Sequence, residues 1–346
     1  MKVIEVRNVH DALIRGIDLL QVENCKSESR NGIVYESTTP VTTVYNRPAE
    51  RVIFWEERNA NPFFHFMEGL WMLKGRNDLK FIHYYNKGMK NYSDDGETLH
   101  GAYGWRWRSF FMYDQLPIII ERLKEDSADR RSVLQMWDPI EDLNRNGVDV
   151  PCNTCIYFKR DTANRLQMTV CNRSNDIIWG AYGANAVHMS MLQEYMASAI
   201  GIPMGTYYQV SNNYHAYSEV FEELLQKFIE RDALDFYTQY LPIRNFLMNS
   251  NPYTIGEVQP YPMVNTEIQT WELDLLGFLD RTPFEEMEFK DPFFNEVAVP
   301  IQDSWWLHKI GKTEEATIEI QKCIASDWRK ACWEWFNRKI KNKEIS

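Results

Sequence analysis

Apolar and polar positions alternate unevenly along this chain, and the changes of period mark out its elements. Residues 61 to 75, NPFFHFMEGLWMLKG, set Phe63, Phe66, Met67, Leu70, Trp71 and Leu73 at mainly three- and four-residue steps before Gly75. That pattern predicts a buried helix with a glycine stop. Glu68 falls inside the apolar run. Short stretches of alternating or β-favouring character come next at 131 to 137 (RSVLQMW), 155 to 160 (CIYFKR) and 165 to 171 (RLQMTVC), separated by the turn-rich DPIEDLNRNG and DTAN. They read as neighbouring strands. From 184 to 200 an amphipathic segment carries Val187, Met191, Leu192, Tyr195 and Met196 on one side before Gly201, and a further strand is expected at 205 to 210. The tail from 313 to 342 opens on Thr-Glu-Glu and closes in the basic NRKIKNK, the charge order that complements a helix dipole, so one long charged helix is expected there. No repeat or long Pro/Gly/Ser-rich linker divides the chain. The expectation is a single α/β domain over residues 1–346 with an appended C-terminal portion.

Composition narrows the function. A chain of 346 residues that is 44% hydrophobic can bury a sizeable core, which excludes disorder as the dominant state. With 49 acidic against 38 basic residues and a formal charge of -11, a broad electrostatic footprint for duplex nucleic acid is excluded, and any anion site must be local. Six cysteines, at 25, 152, 155, 171, 323 and 332, are too scattered for a secreted disulfide framework and point to a reducing, cytoplasmic setting. The first thirty residues are charged throughout, and no later stretch reaches the roughly 18 apolar residues of a membrane helix, so no membrane partner is expected. The many Trp, Tyr and Phe residues fall at core-like spacings, which suits packing better than a stacking surface for nucleic acid.

Several groups carry chemistry. Arg130-Arg131 and Arg173-Ser174-Asn175-Asp176 stand on either side of Cys152 in an otherwise acidic chain. Converging guanidinium forks are what a phosphomonoester site requires, because each binds phosphate through two parallel hydrogen bonds. Cys152, in VPCNTC just before an expected strand, is placed to present a thiol to a cleft, where nearby guanidinium groups would favour the nucleophilic thiolate. Its spacing to Cys155 does not make a zinc or redox site, since no second CxxC or His pair occurs beyond it, and Cys155 reads as a strand residue. Glu68 needs a reason to sit in an apolar helix. Burial favours the protonated form of a carboxyl, which suits a group that relays protons near neutrality. His215 and Tyr217 in SNNYHAY, spaced i, i+2, would share one side of a strand and could reach one polar ligand group. Taken singly, each of these features also has an ordinary structural explanation: a solvated turn, a surface loop, a salt-bridged carboxylate or a satisfied histidine.

Taken in chain order, the segments resemble the thymidylate synthase family over roughly residues 60 to 220. EGLWMLKG looks like its catalytic glutamate helix, GAYGWRWR with Tyr103 like its Tyr-Gly turn, and DRRSVLQMWDP like its double-arginine strand. VPCNTCIYF matches the nucleophile segment, NRSNDIIWG the RSxDxxxG stretch, and NNYHAY the DxHxY segment. The resemblance implies an α/β (α+β) domain built on a large mixed sheet flanked by helices and a homodimer formed through the sheet face. Arg130 and Arg131 would then reach the partner's site and join Arg173 and Ser174 at the nucleotide phosphate, with Arg30 in SRNG the candidate for a further arginine from an N-terminal loop. It also implies that Cys152 adds to C6 of a pyrimidine so that C5 becomes nucleophilic, that Glu68 relays protons near O4 or N4, and that Tyr103 belongs to the catalytic set. The one-carbon donor would be 5,10-methylenetetrahydrofolate, with Asp176 on the pterin and His215 and Tyr217 on the sugar hydroxyl.

Four departures bear on subtype. Asn153 stands where the synthases carry His after the nucleophile, and no Trp occurs between Trp71 and Trp105, so GMKNYS lacks the aromatic wall that shields the exocyclic methylene. Opening that wall favours attack by water and a hydroxymethyl product. The synthases place a base-reading Asn four residues after the glycine that corresponds to Gly180, where phage deoxycytidylate hydroxymethylases have Asp. Here that count falls on Ala184, with Asn185 one step later. Both alignments stay open, and with them uracil against cytosine. From 220 to 346 the chain is divergent and ends in KNKEIS rather than in a short apolar terminus. The expectation is therefore a pyrimidine nucleotide hydroxymethylase acting on dCMP, CMP or dUMP. The alternative is thymidylate synthase proper, converting dUMP to dTMP, and a more distant one is an inactive nucleotide-binding protein. The sequence leaves ribose against deoxyribose open.

Overall fold

In the computed structural model, which describes residues 1–233 and 251–344, the chain opens with β1 (Lys2–Val6), α1 (Val9–Glu23), the hairpin β2 (Lys26–Ser29) and β3 (Gly32–Glu36), and β4 (Val41–Tyr45). Next come α2 (Pro62–Leu73), α3 (Leu79–Tyr85), the single turn α4 (Tyr103–Trp105) and α5 (Gln115–Glu125). Strands β5 (Val133–Gln135), β6 (Asn153–Arg160) and β7 (Leu166–Asp176) lead into α6 (Asn185–Ile200), β8 (Met204–Tyr217) and α7 (Ser218–Ala233). Beyond residue 250 lie α8 (Ile268–Asp280), α9 (Val299–Lys309), α10 (Thr313–Glu319) and α11 (Ser326–Glu344). The eight strands form one mixed sheet of order β1-β4-β8-β7-β6-β5, with β3 of the hairpin added to the far end of β8. The β1/β4 and β7/β8 pairs are parallel and the other pairs antiparallel. This is the large mixed sheet with flanking helices that the sequence led us to expect.

α2 lies at the centre of the molecule. Asn61 caps it by accepting the Phe64 N–H, Pro62 supplies a preset first turn, and Gly75 leaves it at a φ of 80°. All twelve residues of α2 are buried, as a helix with apolar groups on every side requires. One side packs on α6, which lies across β7 and β8. On another side Phe63 meets Trp305, Trp335 and Phe336 at ring distances of 5.2, 5.5 and 4.7 Å, and Phe66 meets Trp328 at 5.0 Å. Helices α9 and α11 therefore share their core with α2. Arg108 adds a polar tie, donating to the Leu73 carbonyl, the Asp114 carboxylate, the Tyr195 hydroxyl and Glu272 on α8.

The strands run further than the sequence pattern suggested. β7 continues to Asp176 and takes in the whole Arg173-Ser174-Asn175-Asp176 segment, because its parallel register with β8 holds through Asp176 and His215. β8 likewise extends through Tyr217. The expected tail helix is instead broken. α10 ends at Glu319, a short turn intervenes, and α11 starts at Ser326. Trp328, Trp335 and Phe336 share one face of α11 at i, i+7 and i+8, and the turn at buried Cys323, whose carbonyl accepts from Arg329, redirects the chain so that this face meets α2. On the sheet face away from α6, Tyr157 and Val133 are 48% and 42% exposed, and Cys155, Thr169, Cys171 and Val210 are half-buried.

Gly104 seats the Tyr-Gly turn directly on α2, where an added Cβ would fall 1.8 Å from the Met72 carbonyl oxygen. Gly104→Ala should lower folding stability in chemical denaturation by about 3 kcal/mol or more, because backbone cannot yield as a side chain does. An unchanged midpoint would contradict this contact.

Candidate active site

Cys152 sits in a loop that the strands shape from below. Arg173 on β7 donates from Nε to the Pro151 carbonyl at 2.8 Å and from Nη2 to the Val150 carbonyl at 2.9 Å, while its backbone N–H donates to the Cys152 carbonyl at 2.9 Å. One residue thus fixes three consecutive carbonyls and keeps a positive charge beside the thiol. Burial pushes the half-buried Cys152 thiol above its ordinary range. The charges of Arg173 and of Arg30, in the β2–β3 turn, favour the thiolate, while Asp149 and Asp176 oppose it. The Tyr103 phenol is pushed well up by burial and by the neighbouring Cys152, and its oxygen faces the backbone N–H groups of Cys152 and Asn153. Asp149 joins the two loops by accepting the Gly101 N–H at 2.7 Å. The carboxamide of Asn153 is buried with neither polar atom partnered.

Glu68 projects from α2 toward α6. Its Oε2 lies 2.8 Å from Nε2 of His188, with both side chains buried. The N–H direction is too oblique for a formed hydrogen bond, an arrangement common in ligand-free sites. His65, one turn before Glu68, is pushed well below the ordinary range by burial, then by Arg58 and His188. Arg58 donates to the Ile178 carbonyl at 2.8 Å and stacks on Trp179 at 4.4 Å; burial lowers it to about 10. Asp176 caps the turn after β7, its Oδ1 accepting from Ile178 and Trp179, while Oδ2 is buried without a partner. Burial raises this carboxyl, and the backbone N–H of Trp179 and the charge of His215 act against that rise.

Ala184 and Asn185 are separated by the structure. Tyr182 and Gly183 leave helical geometry just before α6. Asn185 becomes the first residue of α6, buried, with its Nδ2 donating to Asn175 Oδ1 at 3.2 Å; Asn175 in turn donates to Ser211. Ala184 caps the helix without a side-chain bond. His215 and Tyr217 share one side of β8, with ring centroids 5.6 Å apart, and Asn31 donates to the Tyr217 hydroxyl at 3.3 Å. Ser174 is half-buried and opposite Asn213.

The single chain brings Cys152, Tyr103, Arg173, Arg30 and Asp176 into electrostatic reach of one another. Arg130 and Arg131 stand apart. Both are exposed at the β5 edge, Arg131 with its side chain 78% exposed beside Asp129, and the charges that act most strongly on the thiol are others. Sequence reasoning missed Asp149, His65 and His188. His188 had a usable signal, since it stands three residues after Asn185 and so shares its helix face. Tyr92, in the segment that lacks Trp, is close enough to Asp176 and Tyr217 for both to raise its phenol, after burial.

Comparison with known proteins completes the picture. The sequence model of the thymidylate synthase family matches residues 21–261. A deoxyuridylate hydroxymethyltransferase of Pseudomonas phage M6 is 46% identical over 98% of this chain and 95% of its own length. A protein of the same name from Bacillus phage SP01 is 35% identical over 64% of this chain and 62% of its own. The crystal structure of thymidylate synthase from T4 phage has a TM-score of 0.50 at 20% identity, covering 63% of this chain and 79% of that one, which shows the shared fold.

The charges around Cys152 make a signed prediction. Alkylation of Cys152 by iodoacetamide, tracked site by site with mass spectrometry, should rise with pH through a midpoint above that of an ordinary thiol. Asp149→Asn keeps an acceptor for Gly101 but removes the charge, so the midpoint should fall and alkylation at a fixed, mildly alkaline pH should quicken by roughly 3-fold or more. A midpoint that stays or rises would contradict the placement of Asp149.

Proposed function

The chain belongs to the thymidylate synthase family, and we propose that it is a folate-dependent hydroxymethylase acting on C5 of dUMP. The observation that carries this subtype is the extent of its likeness to the phage M6 deoxyuridylate hydroxymethyltransferase. That likeness runs over 98% of the chain and so includes most of the helical portion past residue 261, where the match to the synthase family stops.

The site residues are compatible with each requirement. Cys152 is the nucleophile, and its addition to C6 makes C5 electron-rich. Arg173, Arg30 and Ser174 bind the phosphate. Arg130 and Arg131, exposed at the sheet edge, complete the phosphate site across a homodimer formed on the sheet face that carries Tyr157 and Val133. Asn185 reads the base. With its Nδ2 engaged by Asn175, the amide is oriented so that its oxygen accepts from uracil N3–H and its second N–H donates to O4. Cytosine, which has no N3–H, would leave that oxygen unmatched. His215 and Tyr217 hold the sugar hydroxyl, and Tyr103 orients the Cys152 loop.

The buried, unpartnered Oδ2 of Asp176 suits a pterin N–H, so a methylenetetrahydrofolate fits the donor set present. When bound, that cofactor supplies a one-carbon unit at the oxidation level of formaldehyde. The chain's own residues then direct the remaining steps on the pyrimidine. Once the C5 proton has been lost to solvent, leaving an exocyclic methylene at C5, Glu68 takes a proton from water, the water oxygen bonds to that methylene carbon, and the electron pair returns through C5 to expel the Cys152 thiolate from C6. The C5=C6 double bond is restored and nothing is oxidised or reduced. The lack of a Trp in GMKNYS is compatible with access of that water.

Incubation with methylenetetrahydrofolate and, separately, dUMP, dCMP, UMP and CMP should yield 5-hydroxymethyl-dUMP by mass spectrometry, without the absorbance rise of dihydrofolate. Cys152→Ala should cut tritium release from 5-tritiated dUMP by roughly 1,000-fold or more. Dihydrofolate formed in step with dTMP would show a synthase instead, and turnover of dCMP alone would overturn the assignment of Asn185.

A further inference from the structure

The close partner of the Glu68 carboxylate is a second buried side chain, His188, and the packing leaves little freedom to either. Gly69 is in direct contact with α6, since a Cβ there would fall 2.3 Å from the sulfur of Met191. Helices α2 and α6 therefore approach closely at the turn that holds Glu68 and His188. The contact distance is 2.8 Å from Nε2 to Oε2, yet neither that oxygen nor either ring nitrogen of His188 makes a formed hydrogen bond. A buried imidazole with both nitrogens open beside a buried carboxylate costs free energy unless the pair engages each other or a ligand. His65 stands one turn away on α2 and is held neutral by burial and by the charge of Arg58, while Asn185 stands one turn before His188 on α6.

We propose that His188 is the positioning residue for Glu68. With substrate bound, its Nε2–H closes on Oε2 of the carboxyl, which lies 2.8 Å away, and turns the other oxygen toward the pyrimidine and the water that adds to the C5 substituent. This role rests on the hydroxymethylase reading of Glu68. The path is short: Asn185 fixes the base edge, His188 on the same helix face fixes the carboxyl, and the proton that leaves water is delivered to a group held by the helix that also reads the base.

Two neutral amides separate position from polarity. Gln at 188 places its Nε2 where His Nε2 lies, whereas Asn stops short and places a donor near the Nδ1 position. His188→Asn should lower kcat for hydroxymethyl-dUMP by about 100-fold, with KM for dUMP within about 2-fold of wild type, and His188→Gln should stay within about 3-fold of wild type in both. Equal rates for the two variants, or a loss confined to KM, overturns the role. Should either variant fail to fold, the intact protein with nitrogen-15-labelled histidine decides: a ring signal of the Nε2–H tautomer that moves in Glu68→Gln supports the pairing, and an Nδ1–H tautomer overturns it. A wild-type protein that releases no tritium from 5-tritiated dUMP would overturn the hydroxymethylase reading itself, and the ring signal distinguishes that failure from a failure of His188.

Discussion

A carboxylate must be carried into the core on a helix that has no polar face. α2 is buried at every one of its twelve positions, so Glu68 cannot turn to solvent and must find its partners among the groups that pack against it. That constraint organises the molecule. α6 must approach closely enough for His188 to meet the carboxyl, which Gly69 permits, and the Tyr-Gly turn must sit on the end of α2, which Gly104 permits. The C-terminal helices close the remaining side with a run of aromatic rings. The chemistry and the packing of this chain are thus the same problem solved on one element.

The nucleophile obeys a complementary logic. A thiol in a partly dry cleft is held in its neutral form by burial, and only nearby positive charge makes it reactive. Arg173 performs two tasks at once: it holds the loop through the carbonyls of Val150 and Pro151 and it sets the field at Cys152. Asp149 opposes that field while tying the loop to Gly101. A ligand phosphate would add further negative charge to that field.

Much of this was legible in the residues. The periodicity of 61 to 75 gave α2 with its glycine stop, and the i, i+2 spacing of His215 and Tyr217 gave their shared face, which the ring contact bears out. What escaped detection depended on contacts between distant segments. Arg173 to Asp176 looked loop-like because polar residues at a strand end resemble a loop until the register with β8 is known. The tail looked like one helix because its charge order suits one, yet the chain turns at Cys323 so that Trp328, Trp335 and Phe336 can reach α2. The count to Ala184 or Asn185 could not be settled in one dimension. The non-helical backbone at Tyr182 and Gly183 leaves no trace in sequence periodicity, yet it leads into an α6 whose first residue, Asn185, meets Asn175. His188 went unnoticed because a histidine on an apolar face usually marks nothing more than a satisfied core position.

Water, rather than hydride, must complete the reaction at the carbon attached to C5 if the chain is a hydroxymethylase. Turnover of dUMP in oxygen-18 water tests this directly. One heavy oxygen is predicted in the new hydroxymethyl group of the product. A product without the label, or one that bears a methyl group, would contradict that chemistry.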